Sequence, residues 1–189
     1  MKDHYTIQAK KEGLRARSAY KLLQLNEKYH FIKFGDDVLD LGCWPGGWLV
    51  ASQRISKKGR VVGIDLTKIE PVPGAEFIQG DINSSKIDGK FDVVLSDMAP
   101  KTTGIIDLDV ARSVDLALMA LKTAKSNLQP NGNFLVKIFQ GEGFQEFFAK
   151  VKKNFKFTKT TKPEASRQRS KEVYIIAFGF TGQQSPRTP

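Results

Sequence analysis

The chain has 189 residues, 40% of them hydrophobic and 26% charged, which is enough for one domain with a full core and ordinary for a soluble globular protein. A single cysteine, Cys43, excludes an internal disulfide and a multi-cysteine zinc site, and no metal site is expected. The net charge of +10 is segregated: residues 1–30 hold 7 Lys/Arg against 3 Asp/Glu, residues 150–189 hold 10 against 2, and residues 31–149 hold 13 against 15.

In chain order, a basic stretch (Lys10, Lys11, Arg15, Arg17) leads into a predicted helix near 17–29, which carries Lys21 within Ser18-Ala19-Tyr20-Lys21-Leu22-Leu23. A strand near 37–42 follows and runs into Asp40-Leu41-Gly42-Cys43-Trp44-Pro45-Gly46-Gly47-Trp48, where a helix near 47–56 begins. A strand that ends in a glycine turn and then a helix builds a ligand crevice in an open α/β sheet. The spacing of Gly42, Gly46 and Gly47 is not the G-x-G-x-x-G of a pyrophosphate site, and the strand ends in an acid. That favours a cofactor with a cationic part. S-adenosylmethionine, with its ammonium and sulfonium, fits.

Strands are expected near 60–65, ending in Asp65, and near 75–79, followed through Gly80 by Asp81. A further strand near 91–97 ends in Asp97. Acids at successive strand ends beside one glycine loop suit a ribose diol (Asp65) and an adenine amino group (Asp81), while Gly46 and the Trp48 backbone border the amino-acid end. A helix near 108–128 repeats Val110, Val114, Leu118, Leu121 and Leu128, and Asn131-Gly132 turns into a strand near 132–138. Lys137 interrupts that strand, where a lone ammonium is expensive to bury. A helix near 143–153 precedes strands near 154–161 and 172–179, whose short link suits an antiparallel edge pair. Glu172 stands just before Val173-Tyr174-Ile175-Ile176.

The pattern predicts an α/β fold of the Rossmann-like kind. Its mostly parallel seven-stranded sheet has an antiparallel edge pair and helices on both faces. One domain spans 1–181, with a basic N-terminal helical segment and a flexible tail at 182–189. No apolar run is long enough to cross a bilayer and the N-terminus lacks a signal-peptide core, so a cytoplasmic monomer without a membrane partner is expected. If the basic ends meet on one face, they form a footprint for a polyanion.

The chain resembles the FtsJ/RrmJ family of ribose 2′-O-methyltransferases over nearly its whole length. The matching stretches are Arg15 to Leu22, Asp40 to Trp48, Ser96-Asp97-Met98-Ala99-Pro100, Phe134-Leu135-Val136-Lys137 and Ser166 through Tyr174. Cys43-Trp44 departs from the small residues common in similar loops. The resemblance implies a Lys-Asp-Lys-Glu tetrad at Lys21, Asp97, Lys137 and Glu172. It also implies S-adenosylmethionine contacts at Gly46, Trp48, Asp65, Asp81 and Asp97. It implies transfer of the sulfonium methyl to a ribose 2′-oxygen, with Lys137 taking or orienting the hydroxyl proton. Lys10, Lys11, Arg15, Arg17, Arg167, Arg169 and Lys171 flank tetrad members in sequence and would bind RNA phosphates. A uridine of large-subunit ribosomal RNA is the expected target, or the large ribosomal subunit itself. The alternatives are a transfer RNA anticodon loop, a messenger cap, and a non-catalytic RNA-binding assembly factor. Base-amine methylation fits less well, because Asp97-Met98-Ala99-Pro100 lacks the Asn/Asp-Pro-Pro-aromatic motif. Ring-carbon methylation needs a cysteine nucleophile, and the one cysteine sits in the cofactor loop.

Overall fold

A computed structural model describes residues 4–166 and 170–182. The elements are α1 (His4–Lys11), α2 (Ser18–Tyr29), β1 (Val38–Leu41), α3 (Gly47–Ser56), β2 (Val61–Asp65), β3 (Ala75–Gln79), β4 (Phe91–Ser96), α4 (Ile106–Asn127), β5 (Leu128–Phe139), α5 (Phe144–Lys152), β6 (Phe155–Thr161) and β7 (Glu172–Phe180). The tail expected from residue 182 lies outside the described residues from 183 onward.

One seven-stranded sheet runs β3-β2-β1-β4-β5-β7-β6. The pairs from β3 through β5 are parallel, and β7 is antiparallel to both of its neighbours. The strand order reverses between β1 and β4, which is where open α/β sheets form their ligand crevice at the carboxyl ends of the strands. The antiparallel pair was legible in the short link, but its insertion was not. β7 slots between β5 and β6, so its first residue arrives at the carboxyl end of β5. Phe139 pairs with Glu172 and Lys137 with Tyr174.

Strands buried on both faces read as continuous apolar runs, and their alternation divides the core in two. Val38, Val93, Leu95, Leu135, Tyr174 and Ile176 pack under α2 and α3. Leu39, Leu41, Val94, Phe134, Val136, Ile138 and Val173 pack against α4 and α5. The same parity puts Asp40, Asp97, Lys137 and Glu172 on the α2/α3 face. Helix α2 buries Ala19, Leu22 and Leu25 as one stripe, with Lys21 beside them. It stops where His30 turns left-handed (φ 50°) and returns its N–H to Asn26 O.

Helix α1 ends at Lys11, so Arg15 and Arg17 follow it, and its Ala9 joins the core. One detail differs from expectation. Helix α4 passes directly into β5 at Leu128, and Asn131 takes φ 66° at the Asn-Gly turn inside that strand's irregular start. The core-facing ring of Phe134 is fully buried and stacks on Phe155 at 6.0 Å. Phe134→Ala is expected to lower the unfolding free energy by about 3–5 kcal/mol, read as a lower midpoint in urea denaturation with an unchanged slope.

Candidate active site

The loop after β1 is shaped by close approach. A Cβ on Gly42 (φ 73°) would come within 2.3 Å of Met98 Cγ, so the glycine lets β1 and β4 end against each other. Gly46 (φ 100°) starts α3. Asp65 at the end of β2 braces this loop. Its Oδ2 accepts from Trp44 N–H at 2.9 Å and its Oδ1 from Thr67 N–H at 2.7 Å.

Behind the loop lies a cavity of about 30 Å³ lined by Ser18, Asp40, Gly42, Trp44, Trp48 and Asp97, among others. That is room for one group the size of a water or an ammonium. Asp40 is 1% exposed, and neither carboxylate oxygen has a hydrogen-bond partner among the described residues. Burial pushes its pKa well above the usual carboxylate range, and the charges of Asp97 and Asp65 add to the rise. A buried carboxylate without a donor is costly, and a cationic ligand group would relieve it. Burial likewise raises the Cys43 thiol, with Asp40 and Asp65 adding, so this cysteine is not a thiolate nucleophile.

Beside the cavity the four charges of the expected tetrad converge. Lys137 is 5% exposed and Lys21 7%. Lys137 Nζ stands 3.1 Å from Asp97 Oδ1 and 3.7 Å from Glu172 Oε1, and it also donates to the Asp97 carbonyl. Lys21 Nζ donates to Glu172 Oε2 at 3.4 Å. The order along the network is Asp97, Lys137, Glu172, Lys21, with charges alternating. Burial acts to raise the Glu172 pKa, but the charges of Lys21 and Lys137 and a hydrogen bond from Ser170 outweigh it and hold it below the usual range. The strand arithmetic explains the meeting. Asp97 follows Ser96, which pairs with Val136, and Glu172 enters on the neighbouring antiparallel strand.

Sequence reasoning missed Tyr174. Its hydroxyl donates to Asp97 Oδ1 at 2.7 Å, and burial, together with the Asp97 and Glu172 charges, raises its pKa well above the usual value. It therefore stays a protonated donor. Lys21 Nζ lies 5.7 Å from its ring centroid, and the Trp48 ring packs on it at 6.0 Å. The signal was present, because Tyr174 shares the face of Glu172 at period two. Ser170 was also missed; its hydroxyl donates to Glu172 Oε2 at 3.0 Å. The Trp48 indole donates to Ser18 O at 2.8 Å, tying α3 to the start of α2.

The remaining expected residues are more dispersed. Asp81 is exposed beyond β3 and accepts from Asn83 N–H at 2.8 Å. Arg15 donates to the carbonyls of Glu70 and Pro71, and Arg17 to Ala165 O at 2.7 Å. Lys11 and Lys171 are exposed. The Lys10 side chain, Arg167 and Arg169 lie outside the described residues.

This strand order, with a glycine loop at the switch point and acids closing β1 and β2, defines a Rossmann-like methyltransferase fold. The chain matches the FtsJ-like methyltransferase family over residues 14–180. It is 49% identical over 183 residues to the ribosomal RNA large subunit methyltransferase E of Methanothrix thermoacetophila, covering 93% of this chain and 71% of that protein. It is 45% identical over 196 residues to the protein of the same name from Desulfatibacillum aliphaticivorans, covering 99% and 95%. A crystal structure of a ribosomal RNA methyltransferase from Plasmodium falciparum superposes with a TM-score of 0.81 at 30% identity, covering 89% of this chain and 100% of that one. The chain belongs to the FtsJ-like methyltransferase family and is a methyl-transferring enzyme. Such an enzyme requires a methyl donor.

The folded pKa of Asp40 is raised, so the cost of ionising it grows as pH climbs above its ordinary value of 3.8. In the unliganded protein, Asp40→Asn is expected to raise the thermal midpoint near pH 7. The gain should close as pH falls toward about 4, as read by calorimetry across that range.

Proposed function

We propose that the enzyme transfers the methyl group of S-adenosylmethionine to a ribose 2′-oxygen of RNA, at a uridine of large-subunit ribosomal RNA. The carrying observation is the Lys137 amine, clasped by the carboxylates of Asp97 and Glu172 beside an unpartnered Asp40. The relatives' names point to the ribosomal substrate.

The residues present fit the donor. Asp40 is a buried carboxylate in need of a cation, which suits an ammonium. In this reading Asp65 takes a ribose diol, Asp81 an adenine amino group, and Gly46 and the Trp48 backbone the amino-acid end. S-adenosylmethionine, when bound, supplies an electrophilic methyl on a sulfonium. The chain's own work is positioning, which can account for a large part of such a barrier. Lys137 directs the 2′-oxygen lone pair. Glu172, kept ionised by Lys21, Lys137 and Ser170, is an acceptor for the hydroxyl proton. Tyr174 and the Asp97 carbonyl hold Asp97 and Lys137 in place.

A 2′-hydroxyl is the group that distinguishes RNA from DNA. The basic chain ends supply phosphate contacts, which set affinity and register rather than sequence choice. The enzyme is proposed to act as a monomer in the cytoplasm; among the described residues no helix is long and apolar enough to cross a membrane.

Lys137→Ala is expected to bind S-adenosylmethionine like the wild type and to lose methyl transfer by about 10²- to 10⁴-fold. Calorimetric binding and label transfer to large-subunit RNA check the two halves; normal turnover would remove the assigned role. RNA affinity is expected to fall about 50-fold between roughly 50 and 200 mM salt if about four phosphates are held on a single strand. A flat salt response would contradict the phosphate contacts.

A further inference from the structure

Strand β6 is the outer edge of the sheet on the side away from β3. Phe157, Lys159 and Thr161 pair with Phe178, Ile176 and Tyr174, so they share the face that β7 turns toward α2. Phe157 is 53% exposed, and its ring lies 6.0 Å from that of half-buried Phe178. Next along the strip stands Tyr29, at the end of α2. Its hydroxyl donates to Thr161 Oγ1 at 2.9 Å. The ammonium groups of Lys28 and Lys159 lie 5.5 and 6.0 Å from its ring centroid.

Neither lysine forms an ion pair among the described residues. Each ammonium group keeps a charge that a phosphate can pair with. Lysines also guard edge strands against pairing with other chains, which would explain Lys156 and Lys159. That reading leaves the large exposed Phe157 unexplained, since such a ring makes an edge more adhesive. Aromatic rings interleaved with unpaired cations are how proteins hold single-stranded nucleic acid.

The strip is connected to the active site. Thr161 pairs with Tyr174, two residues along β7 from Glu172, and Phe157 is four residues further down the edge, about 13 Å at strand spacing.

We propose that this strip binds the single-stranded RNA flanking the methylated nucleotide. Phe157 stacks one base, and Lys28 and Lys159 supply phosphate contacts beside Tyr29. The proposal rests on the RNA reading of the active site and adds a second contact region to it. The stacking is tolerant of sequence, because every base presents a π-face.

The test is fluorescence anisotropy of a labelled oligouridine of about 12 nucleotides with the full chain, repeated across a salt series. Phe157→Ala is expected to weaken binding roughly 5- to 150-fold at every salt concentration, with the salt slope unchanged, because a stacked ring releases no counterion. Phe157→Tyr keeps a ring and is expected to bind like the wild type, which separates loss of stacking from loss of fold. Lys159→Ala is expected to flatten the salt slope by about 0.7. Wild-type affinity in a folded Phe157→Ala protein would overturn the proposal. So would a wild-type dimer in sedimentation velocity that Phe157→Ala dissolves, since the edge would then be a protein interface. A wild-type chain that does not bind oligouridine at all would count against the RNA reading itself, not the strip alone.

Discussion

Two lysines and two carboxylates share one nearly dry face at the carboxyl end of this sheet, and the rest of the structure is arranged so that they can. An unpaired charge in that position would cost several kcal/mol. Alternation of sign along Asp97, Lys137, Glu172 and Lys21 offsets this cost. Helix α2 must cross the face to deliver Lys21. The last hairpin must insert β7 beside β5 to deliver Glu172. Deleting Lys137 would leave Asp97, and deleting Glu172 would leave Lys21, without its opposite charge, so the network is a structural unit before it is a chemical one.

Next to this closed network lies an open one. Asp40 is more deeply buried than those four residues but has no donor for either oxygen among the described residues. The contrast separates two tasks. The tetrad is satisfied within the chain and holds its geometry without a ligand. Asp40 is left to be satisfied by a cation from outside, so a ligand that supplies one also stabilises the folded state. Tyr174 joins the two regions, since it binds Asp97, and Asp97 borders the Asp40 cavity.

Much of this is legible in the sequence. Strand ends closed by Asp40, Asp65 and Asp97 marked the crevice, and Lys137 stood out because an ammonium in an apolar strand requires a reason. Lys21 and Glu172 were not readable on chemistry alone, since each could sit on a solvated face. Only family resemblance promoted them. Tyr174 shares the face of Glu172 at period two, but a tyrosine in a β-rich run reads as core, and its hydroxyl matters only once β7 is known to lie beside β5. The roles of Arg15 and Arg17 were hidden for a related reason. Their charge is plain in the sequence, but the carbonyls of Glu70, Pro71 and Ala165 that they hold are distant in the chain. Both guanidinium groups therefore hold chain segments far from their own in sequence. The unbroken passage from α4 to β5 depends on tertiary packing, which local propensity does not encode.

The central claim is that the Lys137 amine is placed to direct a ribose oxygen rather than a base nitrogen or carbon. The most direct measurement incubates the protein and methyl-labelled S-adenosylmethionine with large ribosomal subunits, digests the RNA to nucleosides, and locates the label. The account predicts a single labelled product, 2′-O-methyluridine. Label on a base, or none on RNA at all, would contradict it.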